Sequence, residues 1–160
     1  MDVNSLHDIF IILHSSSATI SFFAGGFLLL SSMHRTDQRF FSVYWWTLIG
    51  MVVLLVGAIL VYWMEYSGVQ RIIFPGLLAL GIYMVYRAWN ARHLLQSQPN
   101  AWRYDYIEHI GFTLISLFEG FIIVSGLNSD LPVWLVILIA VLGVLLGRWL
   151  IGVARRRVQQ

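Results

Sequence analysis

The sequence predicts an all-α integral membrane bundle of five transmembrane helices, and three observations carry that prediction. Of 160 residues, 59% are hydrophobic and 11% charged, whereas a soluble domain carries about a quarter charged residues. The apolar residues gather into five stretches, each close to the ~20 residues a helix needs to cross hydrocarbon. All ten basic residues are arginines, and they fall with a strong sidedness between those stretches. A soluble fold of this length cannot hide so much apolar surface. A helix that satisfies its own backbone hydrogen bonds can expose Leu, Val and Phe to lipid at no cost.

The stretches define a single transmembrane domain over residues 1–160, with helices at about 9–30, 43–64, 72–89, 107–126 and 131–151. Residues 1–6 carry only Asp2 as a charge and lack the basic region and small-residue cleavage site of a signal peptide, so the first stretch is expected to stay in the mature chain. The third is the shortest and has Pro75 near its start, where a missing N–H is tolerated in a first helical turn. The stretch from Arg92 to Asp105 reads as the one long polar connection, with Gln96, Ser97, Gln98, Pro99 and Asn100 in succession. Leu127, Asn128, Ser129, Asp130 and then Pro132 read as a polar turn, which makes the fourth and fifth helices a tight antiparallel hairpin.

Orientation follows from the arginines, because basic loops stay cytoplasmic. With the N-terminus outside and the C-terminus inside, Arg35, Arg39, Arg87, Arg92, Arg103, Arg148, Arg155, Arg156 and Arg157 lie inward and Arg71 alone outward. Tyr44, Trp45, Trp46, Trp89, Trp102 and Trp149 then mark the inner boundary, and Tyr62, Trp63 and Trp134 the outer one. The expected location is a bacterial inner membrane, crossed several times. The formal net charge of +2 and pI of 9.2 come from these clusters and argue against nucleic-acid binding. The absence of cysteine removes disulfides, thiolate metal sites, iron–sulfur clusters and thiol nucleophiles. No internal repeat points to an inverted-repeat transporter.

On the first helix, His7, His14, Ser17, Ser21, Gly25 and Ser32 fall on one face at 100° per residue. Ser17, Ser21 and Gly25 have the spacing of a small-residue seam that lets two helices approach closely, and His14 lies deep enough to face a polar cavity. The fourth helix has a stripe of Asp105, His109, Ser116, Glu119 and Gly120. Glu119 lies near the middle of its apolar run, where a carboxyl group is costly and therefore a candidate functional group. Counting ~1.5 Å per residue from opposite faces puts His14 and Glu119 within about 6 Å of one depth. The leading expectation is a small polar site for a ligand or proton formed by His14, Ser17, Ser21, Ser116 and Glu119. The bland reading is that both stripes are packing surfaces, Glu119 being a neutral hydrogen-bonding group between helices. Gly143 and Gly147 form a GxxxG pair that suits an intrachain contact or a homo-oligomer equally well, and Gly50 and Gly57 share a face of the second helix.

Other chemistries have weaker support. Haem needs two His at matching depth; nothing matches His14, and an inner pair of His109 with His34 or His93 draws on loop residues, so haem is disfavoured. His7, His14 and His109 are weak metal candidates because they lack the i, i+4 spacing of a helical site. Ser15, Ser16 and Ser17 after His14 do not make a nucleophile elbow, which argues against a hydrolase. The residues leave enzyme activity open, with the balance against it. Three functions stay open: the intramembrane polar site, a structural or accessory subunit of a larger membrane complex, and a haem- or quinone-associated redox subunit. Membrane lipid is the one partner the composition itself requires.

His14, Gly25-Gly26, the His34-Arg35 loop and Val43-Tyr44-Trp45-Trp46 resemble a family of small bacterial polytopic predicted membrane proteins that has no established activity. The similarity covers the first half of the chain, and Ser42 stands where that family would have Gly. The resemblance implies a topology and no chemistry.

Overall fold

The computed structural model describes residues 3–31, 38–127, 129 and 131–158, with the side chains of Val3, Leu127, Val133, Arg157 and Val158 left aside. Its elements are α1 (Val3–Ser31), α2 (Gln38–Tyr62), α3 (Gln70–Ser97), α4 (Trp102–Leu127) and α5 (Val133–Val158), and no strand occurs among the described residues. All five are long and apolar enough to cross a bilayer. His34, Arg35, Ser32, Asn128 and Asp130, named above, lie outside the described residues.

α1, α3 and α4 run past their apolar stretches at both ends, whereas α2 extends only at its start and stops at Tyr62, and α5 begins at Val133 and extends only at its end, which corrects the sequence boundaries. The polar connection between the third and fourth stretches is mostly helical. α3 continues to Ser97, α4 begins at Trp102, and the turn shrinks to residues 98–101, where Gln98 and Ala101 take left-handed φ values of 41° and 60°. Hydropathy reports where lipid touches a helix and says nothing of where the helix stops. Ala, Arg, Leu and Gln are good helix formers on either side of the boundary. Pro75 likewise lies beyond the first turn of α3, so it removes one internal hydrogen bond there.

Successive helices are antiparallel. α1, α2, α3 and α4 close a four-membered ring in which each touches the next and α4 returns to α1, while among the described residues α5 packs on α4 alone. Ring contacts between Trp45 and Trp89 and a hydrogen bond from Arg87 to Glu108 bring the start of α2, the end of α3 and the start of α4 to one end of the bundle. Arg155 of α5 joins them there, and this is the arginine-rich end. Arg71 sits at the opposite end, its guanidinium donating to the Met64 carbonyl at 3.0 Å.

Toward the arginine-rich end Leu28, Tyr44, Leu48, Tyr106 and Ile110 are fully buried. Tyr44 is therefore not a lipid-boundary ring. Thr113 Oγ1 donates to the Ile110 carbonyl at 2.7 Å, which leaves the Tyr44 hydroxyl to donate to Thr113 Oγ1 at 2.5 Å across the bundle. An unmade hydrogen bond in hydrocarbon is expensive; Thr113 supplies the partner for Tyr44, whereas the Tyr106 hydroxyl, equally buried, finds none among the described residues.

Candidate functional site

The face of α1 that carries His14, Ser17, Ser21 and Gly25 lies against α2. His14 Nδ1 stands 2.8 Å from the Met51 carbonyl oxygen, which can only accept, so Nδ1 carries the hydrogen. Thr47 Oγ1 donates to Val43 O within its own helix at 2.8 Å, so Ser21 Oγ is the donor in its 2.7 Å contact with Thr47. Ser17 faces Gly50: a Cβ built there would lie 3.9 Å from Ser17 Oγ. A Cβ on Gly25 would meet Leu114 and Tyr44 at 3.0 and 3.2 Å, and one on Gly57 would meet Phe10 at 2.8 Å. Small residues thus let α1 close on α2 and, at Gly25, on Leu114 of α4, and His14 and Ser21 each find a hydrogen-bond partner on α2.

The α4–α5 seam uses a different device. Four glycines each leave a hole that the facing helix fills: Val136 enters the one at Gly126, Ile115 that at Gly147, Ile151 that at Gly111, and Glu119 that at Gly143. These pairs hold one antiparallel register along the hairpin. Gly143 and Gly147 therefore serve an intrachain contact. Three holes take a β-branched aliphatic side chain, and the fourth takes a carboxyl group. Glu119 is only 6% exposed, and among the described residues neither of its carboxyl oxygens has a hydrogen-bond partner. Ser116, one turn away on the same helix, is also buried.

The structure thus divides the expected site between two seams. His14, Ser17 and Ser21 join α1 to α2, while Glu119 lies on the α4–α5 side. No hydrogen bond links His14 to Glu119, since both Glu119 oxygens are unpartnered. Asp105 is exposed at the arginine-rich end, and a Cβ on Gly120 would meet nothing within 4 Å. His109 is half-buried with Nδ1 unpartnered, and His93 is exposed with its ring edge-on to Trp89.

Two clusters close the ends. At the end bearing the N-terminus, His7 stacks on Tyr62 with ring centroids 4.3 Å apart, and its Nε2 lies 3.3 Å from the Tyr66 hydroxyl. Burial, and secondarily the neighbouring Tyr62, push the Tyr66 phenol above its ordinary range, so it persists as a neutral donor toward the Ala58 carbonyl. At the other end Glu108 bridges Arg87 of α3, 3.7 Å away, and Arg155 of α5, whose guanidinium also lies over the Tyr104 ring. Sequence reasoning missed this three-helix node. Its signal was Glu108 at the depth of Arg87, one turn inside the water boundary. Among the described residues no group of three or more His, Asp or Glu is placed to hold a metal ion.

The chain is thus a helical bundle of membrane-spanning length with an isolated buried carboxyl group. No family model, no curated protein and no solved structure matches it. The resemblance carried by the first two helices stands without a family match.

Proposed function

We propose that this is a multi-pass inner-membrane protein whose Glu119, at the α4–α5 seam with Ser116 one turn before it on α4, binds a proton or a small cationic ligand within the bilayer. His14, Ser17 and Ser21 serve in this reading to hold α1 on α2. One observation carries it: Glu119 fills a hole of the kind that Val136, Ile115 and Ile151 fill, yet its carboxyl oxygens gain no hydrogen bond. Packing would be met by an aliphatic side chain, and interhelical hydrogen bonding would give the oxygens a partner. An ionised carboxylate without partner in hydrocarbon is strongly disfavoured, so the group takes up a proton or a cation. The sidedness of the arginines supports an outside N-terminus and a cytoplasmic arginine-rich end.

The test is modification of the protein in liposomes by a hydrophobic carbodiimide, read by peptide mass spectrometry. Reaction at Glu119, suppressed as pH rises and by permeant cations, is the expected result. Labelling confined to Glu65 and Glu108, with Glu119 inert throughout, would leave a structural or accessory subunit as the better description.

A further inference from the structure

A second site lies away from Glu119, at the arginine-rich end. Between the first turns of α2 and the last turns of α3 is a cleft of about 240 Å³, walled by Trp45 and Trp46 and lined by Gln38, Ser42, Arg92 and Gln96. Among the described residues no carboxylate lines it. Its polar groups include one fixed positive charge, and among the described residues no acidic side chain pairs with Arg92. The guanidinium instead lies 5.7 Å from the centroid of the Trp45 ring, which in turn stands 5.9 Å from Trp89. A cation held over a buried indole, with two amides and a hydroxyl among the lining residues, is donor chemistry suited to an anion.

Two features select the source of that anion. The cleft lies where the apolar run of α2 begins and that of α3 has ended, at the level of headgroups on a crossing helix. Its Trp46 wall is 66% exposed, and Val43 beside it is exposed as well. A free phosphate has no use for such a wall, whereas a phospholipid places acyl chains on it while its phosphate reaches Arg92. We propose that this cleft binds the phosphate of an anionic phospholipid headgroup, with Arg92 as the charged ligand and Gln38 and Gln96 as flanking donors.

The protein would be reconstituted in vesicles of equal parts phosphatidylcholine and phosphatidylglycerol, extracted in neutral detergent, and its retained lipid counted by native mass spectrometry. Wild type should keep phosphatidylglycerol in preference to phosphatidylcholine. Arg92→Gln should lower that retention about tenfold, the worth of one charge-assisted contact. Gln96→Glu, an exposed change that leaves the fold alone, should do the same by repulsion. Arg103→Gln, at the same end but outside the cleft, should retain lipid as wild type does. Equal losses in Arg92→Gln and Arg103→Gln would overturn the proposal, as would equal retention of the two lipids. Arg92-dependent binding of inorganic phosphate by delipidated protein, with no preference for phosphatidylglycerol, would also overturn the lipid assignment.

Discussion

The α1–α2 and α4–α5 seams solve one problem, bringing two helices close in lipid, and they treat polarity in opposite ways. In the first, His14 and Ser21 each meet an acceptor on α2. In the second, glycines receive aliphatic side chains, and the single polar intruder, Glu119, is left without a partner. A polar residue that has found its hydrogen bond needs no explanation beyond assembly. One that displaces an aliphatic group and finds nothing does.

The contrast can be broken most forcefully at Gly126. A Cβ there would lie 2.5 Å from one Val136 methyl carbon and 3.3 Å from its Cβ, and a branch so short cannot swing clear. Gly126→Ala should cost about 1–3 kcal/mol of stability, the range for overpacking, measurable by steric trapping in bicelles. Glu119→Ile should act in the other direction. It gives the fourth hole the kind of side chain the other three have, and should raise stability by about 1–3 kcal/mol, the penalty of an unsatisfied buried polar group. A clear loss in that variant would mean that Glu119 is bonded in the membrane and would remove the argument for a site.

Gly143→Ala separates the two roles of that position. The added methyl meets the far end of a flexible side chain, so the carboxyl group is displaced while the seam persists; carbodiimide labelling should change several-fold more than thermal stability does. Ser21→Ala should cost about 0.6 kcal/mol, the average of hydrogen bonds between membrane helices. Smallest is the effect of alkaline pH near Tyr66. Its phenol is pushed up by burial, so its contribution is complete below the unfolded value of 10.0 and is lost as pH rises through the higher folded value. Hydrogen exchange at residues 62–70 should accelerate above that point in wild type and much less in Tyr66→Phe.

Helix number and order were legible in the residues, because hydrocarbon leaves a plain mark on composition. The limits of α3 were not, since between Asn90 and Ser97 the polar Arg92, His93 and Gln96 interrupt Ala91, Leu94 and Leu95 in a segment that is helical, and hydropathy registers only the solvent. The seam role of Ser17, Ser21 and Gly25 could be read from their spacing. The neighbour of each stripe could not. His14 and Glu119 share a depth by counting along two helices that do meet, but depth gives no azimuth, and one residue turns to α2 while the other turns to Gly143. Tyr44 was equally ambiguous, since an aromatic ring next to Trp45 suits a lipid boundary until Thr113 is seen opposite its hydroxyl.

The attachment of α5 to α4 alone has a consequence for access. Glu119 faces Gly143 of α5, and among the described residues that helix touches only α4, with Arg155 clasped on Glu108 near its far end. A small pivot of that single rod would uncover the carboxyl group sideways to the bilayer, with the four-helix ring undisturbed. Traffic to the acid would then be set by the hinge between two rods, and the clasp at Glu108 would govern how often it opens.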